Sequence, residues 1–329
     1  MKTYGFLTAL TLLGAMHYAS PAVAVEKWDL PMQWPAGNFY AQSAQKFADK
    51  VKEVTKGEVE ITIHYNGSLG FKGGEMLRVI RDGLVPIGDV TQRLQVGDEP
   101  FMGIEGLPYL AAGVDEMKTL LKYTRPIYDK IAAKNNQKVL YIQTWPGQHV
   151  FAAKEIKNLA DLAGLKIRTV DANGTEFFKR LGASPAQLPW GEVVPSLASG
   201  AINGVTTSSS SGVDGKFWEF TKNLYLLDWQ VPLSSINVNL AAWNKLKPET
   251  RDAIENLAKQ LEPEFWQVTA NEDATKMKIL SENGVKFTKS DEATRAQVVK
   301  TAEEMWADFI KRVPEAGPVI AAYRQEIKK

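Results

Sequence analysis

Cysteine is absent from the 329 residues, and histidine occurs only three times. Without cysteine there are no disulfides, no thiolate metal sites and no cysteine nucleophile. There can also be no lipid anchor attached through a cysteine after leader cleavage. His64 and His149 are isolated in the sequence and read as structural or solvated side chains, which leaves a structural zinc site without its usual ligands. No metal and no cofactor is expected. Excess charge of either sign is also missing, with 39 Lys and Arg against 38 Asp and Glu. A near-neutral chain with no basic run argues against nucleic acid as a partner. No G-x-S-x-G elbow occurs among the serines. The carboxylates are scattered over helical faces, so a carboxylate-only active site is the enzyme alternative and binding is the leading reading.

Long apolar runs are lacking too. The longest, Phe6 to Met16, follows Lys2 and leads to Ala22-Val-Ala24, the pattern of a secretory signal peptide cut after Ala24. It falls short of the roughly 20 residues a membrane span needs. Residues 1–24 therefore read as a leader, and the mature protein as soluble outside the cytoplasm. The remaining length accommodates two domains of ordinary size.

Alternating and helical stripes succeed one another along the mature chain. Strands are expected at Trp28–Trp34, Val59–Tyr65 and Val85–Val90, with helices between them, a rhythm that implies a parallel sheet covered by helices. Asn66 to Gly74 is a glycine-rich loop lacking both the Gly-Lys-Ser/Thr ending and the dinucleotide spacing, so it shapes a cleft and does not cradle phosphate. Pro100 to Gly113 reads as an extended connection. Asp115 to Lys134 is helical, with Pro126 breaking or kinking it. Trp145-Pro-Gly147 and Val231-Pro232 read as crossings between two domains. Pro248 to about Asn283 forms one helix of about 35 residues, roughly 50 Å long, kinked at Pro263.

The stretch from Leu165 to Val205 carries the chemistry. Leu165-Lys-Ile-Arg-Thr169 is a short strand followed by a helix that Gly182 stops. Arg168 then stands at the carboxyl end of a strand, where open α/β sheets leave a crevice for ligands. Its planar fork matches a carboxylate in two parallel hydrogen bonds; an ion pair with a surface acid is the alternative.

Leu162-Ala-Gly-Leu-Lys-Ile-Arg168, Leu181-Gly-Ala-Ser-Pro185, Trp190-Gly-Glu192 and Gly200-Ala-Ile-Asn-Gly204 together resemble the solute-binding proteins of tripartite ATP-independent periplasmic (TRAP) transporters. The general layout resembles that family over nearly all of the mature chain. The resemblance implies an α/β fold of the two-lobed periplasmic binding protein kind (type II-like), with a long helix spanning both lobes. Lobe 1 would comprise residues 25–145 and 233–270, and lobe 2 residues 146–232 and 271–329. It implies a monomer in the periplasm that delivers its ligand to TRAP-type membrane permease subunits. A periplasmic enzyme and a sensor component are the competing classes.

By the same resemblance, Arg168 clamps the ligand carboxylate and Trp190 stacks on the ligand. Gln148 stands where some members carry a second cation, and Phe71 where sugar-acid binders carry acidic residues. Thr207, Ser208 and Ser209 replace the family's Glu-Asn turn with hydroxyls. Gln33 and Trp34 end the first strand, Gln92 follows the third, and Trp145 lies at a crossing, so all four are candidates to face the cleft. These aromatics around one cation imply an aromatic or hydrophobic monocarboxylate as ligand. A small 2-oxo or 2-hydroxy acid, or a C4-dicarboxylate, is the alternative.

Overall fold

The computed structural model describes residues 25–327; the leader read in residues 1–24 lies outside the described residues. β1 (Glu26–Pro31) runs parallel to β2 (Val59–His64), the two joined by α1 (Phe39–Val54). Asn38 starts α1 by accepting the Tyr40 N–H at 2.9 Å, and Phe39, Ala44, Phe47 and Val51 bury one helical face. Next come α2 (Met76–Arg81), β3 (Ile87–Thr91), α3 (Val114–Lys134) and β4 (Gln137–Thr144).

The second half opens with β5 (His149–Ala152), β6 (Lys166–Thr169), α4 (Ala172–Arg180) and β7 (Ser184–Gln187). It continues through α5 (Val193–Ala198), β8 (Gly204–Thr207), α6 (Ser209–Asp214) and β9 (Asn223–Leu226). β10 (Leu233–Asn239), α7 (Leu240–Lys245) and α8 (Pro248–Glu282) follow. The chain closes with β11 (Lys286–Lys289), α9 (Glu292–Arg312) and α10 (Ala316–Glu326).

The first lobe departs from the parallel sheet expected from its rhythm. β1 and β2 form a separate parallel pair lying against β3, while β3 and β4 flank β10 in a three-stranded sheet antiparallel throughout. The cause is non-local: β10 returns from the second lobe and inserts between β3 and β4, a pairing no local pattern can announce. The second lobe holds a six-stranded mixed sheet in the order β11-β9-β5-β8-β6-β7. Residues Pro100–Gly106, expected to be extended, form a 3-10 helix that buries Phe101, Met102 and Ile104. Their apolar side chains outweigh the surrounding proline and glycine.

α8 runs as one helix of 35 residues through Pro263, packing on α1 and β4 in its first part and on α6 further along. It thus spans both lobes. α3 likewise continues through Pro126. The C-terminal helices, expected on the second lobe, touch both. α9 packs on α4, while α10 packs on α3, where Glu326 accepts from Lys122 at 2.7 Å and from Tyr123 at 2.6 Å.

Residues 145–148 carry the chain from β4 to β5, and residues 227–232 bring it back from β9 to β10. The two crossings are bonded to each other: Trp145 N–H donates to Pro232 O at 2.8 Å, Gln148 N–H to Gln230 O at 3.0 Å and Trp229 N–H to Gln148 O at 3.2 Å. One hydrophobic core lies within each lobe, and a third, containing Phe177, Trp229 and Trp306, runs beneath the crossings. No described helix is long and apolar enough to cross a membrane.

Candidate functional site

A cavity of about 440 Å³ opens between the lobes at the crossings, within the range typical of small-ligand sites. β6 positions its central cation. Ile167 turns into the core, so Arg168, next along the strand, turns the other way and reaches the cavity wall. The Arg168 side chain is only 3 % exposed. Its Nε donates to Leu188 O at 3.0 Å, which fixes the plane of the guanidinium. Among the described residues it has no salt-bridge partner. Burial, and then the nearby charge of Arg93, lower its pKa to about 9, against the attraction of Asp171. It remains cationic at neutral pH, with no carboxylate of the described residues within salt-bridge distance.

Arg93 faces the same cavity from the first lobe, just beyond β3. Its Nε stands 2.9 Å from Asp171 Oδ2, with both side chains nearly inaccessible. The contact is an ion pair set off the line of a proper hydrogen bond, since neither atom has a hydrogen-bonded partner by geometry. Asp171 also starts α4, accepting the Gly174 N–H at 2.9 Å. Behind them, Glu105 accepts backbone N–H groups from Arg93 at 3.1 Å and Leu233 at 3.2 Å. Burial drives the Glu105 carboxyl up to about 8 despite Arg93. Asp89, buried beside Tyr40 and Trp34, is raised by burial to about 7.

Three tryptophans form the apolar wall. The rings of Trp34 and Trp145 lie 4.5 Å apart, and Trp34 and Trp190 meet across the cleft at 5.4 Å. Trp145 is held by stacking on Tyr40 at 5.4 Å, by an edge contact with Phe39 at 5.0 Å and by its indole N–H, which donates to Ser234 Oγ at 3.1 Å. Across the same cleft Asn38 Nδ2 donates to Asp214 Oδ2 at 2.6 Å.

Of the residues expected from sequence, Gln33, Trp34, Trp145, Gln148, Arg168, Trp190, Thr207 and Ser208 all line this cavity. Gln33 is anchored through Nε2 to Phe71 O at 2.6 Å, and Gln148 through Nε2 to Pro146 O at 2.8 Å. Three others lie elsewhere. The Phe71 ring packs against the core, leaving Lys72, Gly73, Gly74 and Glu75 of its loop on the cavity wall. Gln92 is buried and donates to Ser235 Oγ at 3.1 Å. Ser209 turns to α8, donating to Asp273 Oδ1 at 2.5 Å.

The cavity residues that the sequence does not single out include Arg93, Thr91, Leu94, Val170 and Gln187. Arg93 is the consequential one. Its only signal in the chain is adjacency to Gln92, and the 3-10 turn at Gln92–Leu94 decides which of the two neighbours faces the cleft. His64 bonds Asp29 at 2.7 Å near the surface, and His149 is buried near Asp228, so neither reaches the cavity.

The raised carboxyls predict how stability depends on pH. Glu105 and Asp89 stay protonated in the folded chain at pH values where the unfolded chain ionises them. Their contribution is complete below the ordinary carboxyl range and is lost as pH rises to about 8 for Glu105 and about 7 for Asp89. Buried His149, whose pKa is lowered chiefly by burial, acts in the opposite sense below its ordinary 6.5. The cleanest window is therefore pH 6.5 to 8, where Glu105 dominates at up to about 1.4 kcal/mol per pH unit. Urea midpoints should fall across that window, and Glu105→Gln should flatten the slope. A midpoint that rises from pH 6.5 to 8 contradicts this account.

A family model described as bacterial extracellular solute-binding protein, family 7, matches residues 30–312. The fold is similar to that of an extracytoplasmic solute receptor of Bordetella pertussis that binds pyroglutamic acid (28 % identity, 91 % of this chain and 99 % of that one, TM-score 0.88). It is also similar to a TRAP solute-binding protein from an unidentified marine microbe, specific for pyroglutamate (30 % identity, 92 % and 99 % coverage, TM-score 0.87). A sialic acid-binding periplasmic protein of Vibrio cholerae is 23 % identical over 88 % of this chain and 91 % of its own length.

Proposed function

This chain belongs to the bacterial extracellular solute-binding proteins of family 7, and from that premise we propose that it captures a compact, flat monocarboxylate, with pyroglutamate the first candidate. The observation that carries the reading is Arg168, a buried guanidinium on the cavity wall with no salt-bridge partner among the described residues. A charge left in that state is costly, and an incoming carboxylate satisfies it through two parallel hydrogen bonds. Trp34, Trp145 and Trp190 supply flat apolar surface for a ring. Gln33, Gln148, Gln187, Thr207 and Ser208 offer donors and acceptors for a second, uncharged polar edge such as a ring amide. The two relatives at 28 % and 30 % identity that bind pyroglutamate support the same ligand.

In this reading the protein works as a periplasmic monomer. Its lobes, 25–145 with 233–270 and 146–232 with 271–329, close on the ligand about the paired crossings. The closed form is then the one delivered to a TRAP-type permease. A family of binding proteins gives no reason to expect turnover, so bound ligand should be recovered unchanged.

A thermal-shift panel tests the ligand class. At a hundredfold excess over the dissociation constant, a true ligand should add about 2.7 kcal/mol of stability. Pyroglutamate is expected to do so, and small-angle scattering at saturation should show a smaller radius of gyration. If C4-dicarboxylates stabilise the protein and pyroglutamate and aromatic monocarboxylates do not, the reading is wrong.

A further inference from the structure

Two guanidinium groups face one cavity, Arg93 from the first lobe and Arg168 from the second, yet only Arg93 has a carboxylate partner. That partner, Asp171, is nearly inaccessible and is held on its other oxygen by the Gly174 N–H at 2.9 Å. Water and salt therefore screen the pair weakly. Of the buried acids behind the pair, Glu105 has a pKa of about 8 and Asp89 is raised to about 7, so neither is fully charged at neutral pH.

We propose that Asp171 sets the charge specificity of the cavity. By neutralising Arg93 it leaves Arg168 as the one buried cation of the wall without an ion pair among the described residues, Lys72 being exposed and screened by water, so the site accepts a ligand with one negative charge and rejects a dianion. The inference rests on the monocarboxylate reading above and adds the residue that enforces it. A second carboxylate on the ligand would find the other buried guanidinium, Arg93, already paired, with Asp171 repelling it in a medium of low dielectric. Any ionised fraction of Asp89 acts in the same direction. Gln148 and the hydroxyls of Thr207 and Ser208 would meet a neutral polar group and leave a second charge unpaired.

The test is a charge series titrated calorimetrically with pyroglutamate and with glutarate, a dicarboxylate of the same carbon count. The wild type should prefer pyroglutamate. Asp171→Asn keeps an oxygen to start α4 but frees the Arg93 charge, and the affinity ratio should move roughly tenfold or more toward glutarate. Arg93→Gln leaves Asp171 opposing the ligand, and pyroglutamate affinity should fall roughly tenfold or more. In the double variant Arg93→Gln with Asp171→Asn, both affinities drop, but the ratio should return to favour pyroglutamate.

A merely structural role for Asp171 would weaken both ligands alike and leave the ratio where it was. An Asp171→Asn ratio within about threefold of the wild type overturns the assignment, as does a double variant that keeps the glutarate shift. Should Asp171→Asn fail to fold, the Arg93→Gln and double-variant arms decide the matter. A wild type that itself prefers glutarate sinks the monocarboxylate reading. A wild type that prefers pyroglutamate with an unmoved Asp171→Asn ratio sinks only the role of Asp171.

Discussion

Replacing Arg168 by lysine is expected to weaken monocarboxylate binding by about 2–5 kcal/mol, or roughly thirtyfold to a few thousandfold. The charge is retained, so the loss measures geometry. Arg168 uses Nε to hold Leu188 O at 3.0 Å, leaving the far side of the fork for the ligand. An ammonium is a shorter, strongly hydrated point charge and cannot make the backbone contact and a two-bond grip together. Buried at 3 % exposure, it would also lack the water that normally completes its hydrogen bonds. Circular dichroism should show the fold intact, and calorimetry with pyroglutamate reads the loss. Affinity within about threefold of the wild type would remove Arg168 from the binding contact.

Truncating Trp229 to alanine should destabilise the fold by about 3–5 kcal/mol. Trp229 lies in the returning crossing and is only 2 % exposed. It stacks on Phe177 at 5.4 Å and meets Phe178 edge-on at 5.5 Å. Its indole N–H donates to Thr206 Oγ1 at 2.7 Å. Gly174 makes room for it, since a Cβ there would lie 3.0 Å from the indole edge. Removing the ring opens a void between α4 and the crossing and leaves the Thr206 hydroxyl without that donor, beside the Thr207 that lines the cavity. The thermal midpoint should fall by roughly 5–15 °C, while Trp229→Phe should recover part of the loss. A midpoint within about 2 °C of the wild type would show that the crossing does not depend on this anchor.

Local chemistry makes much of the site legible in the chain. Arg168 is identifiable because a short alternating strand ends in a cation, and strand ends in α/β sheets face crevices. Trp34, Trp145 and Trp190 stand out because they interrupt loops and strand ends, where large apolar side chains lack a local packing reason. The departures share a different cause. Local pattern favours Gln92 where Arg93 proves to line the cavity, because a single 3-10 turn reverses which neighbour faces the cleft. Ser209 follows two residues that do reach the cavity, but α6 begins there and turns its hydroxyl to Asp273 on α8. Phe71 sits in the right loop, yet its ring is drawn to the core while its carbonyl serves Gln33.

What the sequence determined by itself is what repeats along it or is missing from it. The apolar stripe from Pro248 onward fixes one helix of 35 residues, and the absence of cysteine rules out disulfides and thiolate chemistry in any fold. Tertiary structure alone decided the antiparallel insertion of β10 between β3 and β4, and the meeting of Arg93 with Asp171 across the lobes. Helical and strand periodicity is set by neighbours a few residues apart, so it can be read from the chain. An ion pair depends on which distant segments are brought together and stripped of water, and that is known only once the lobes have packed.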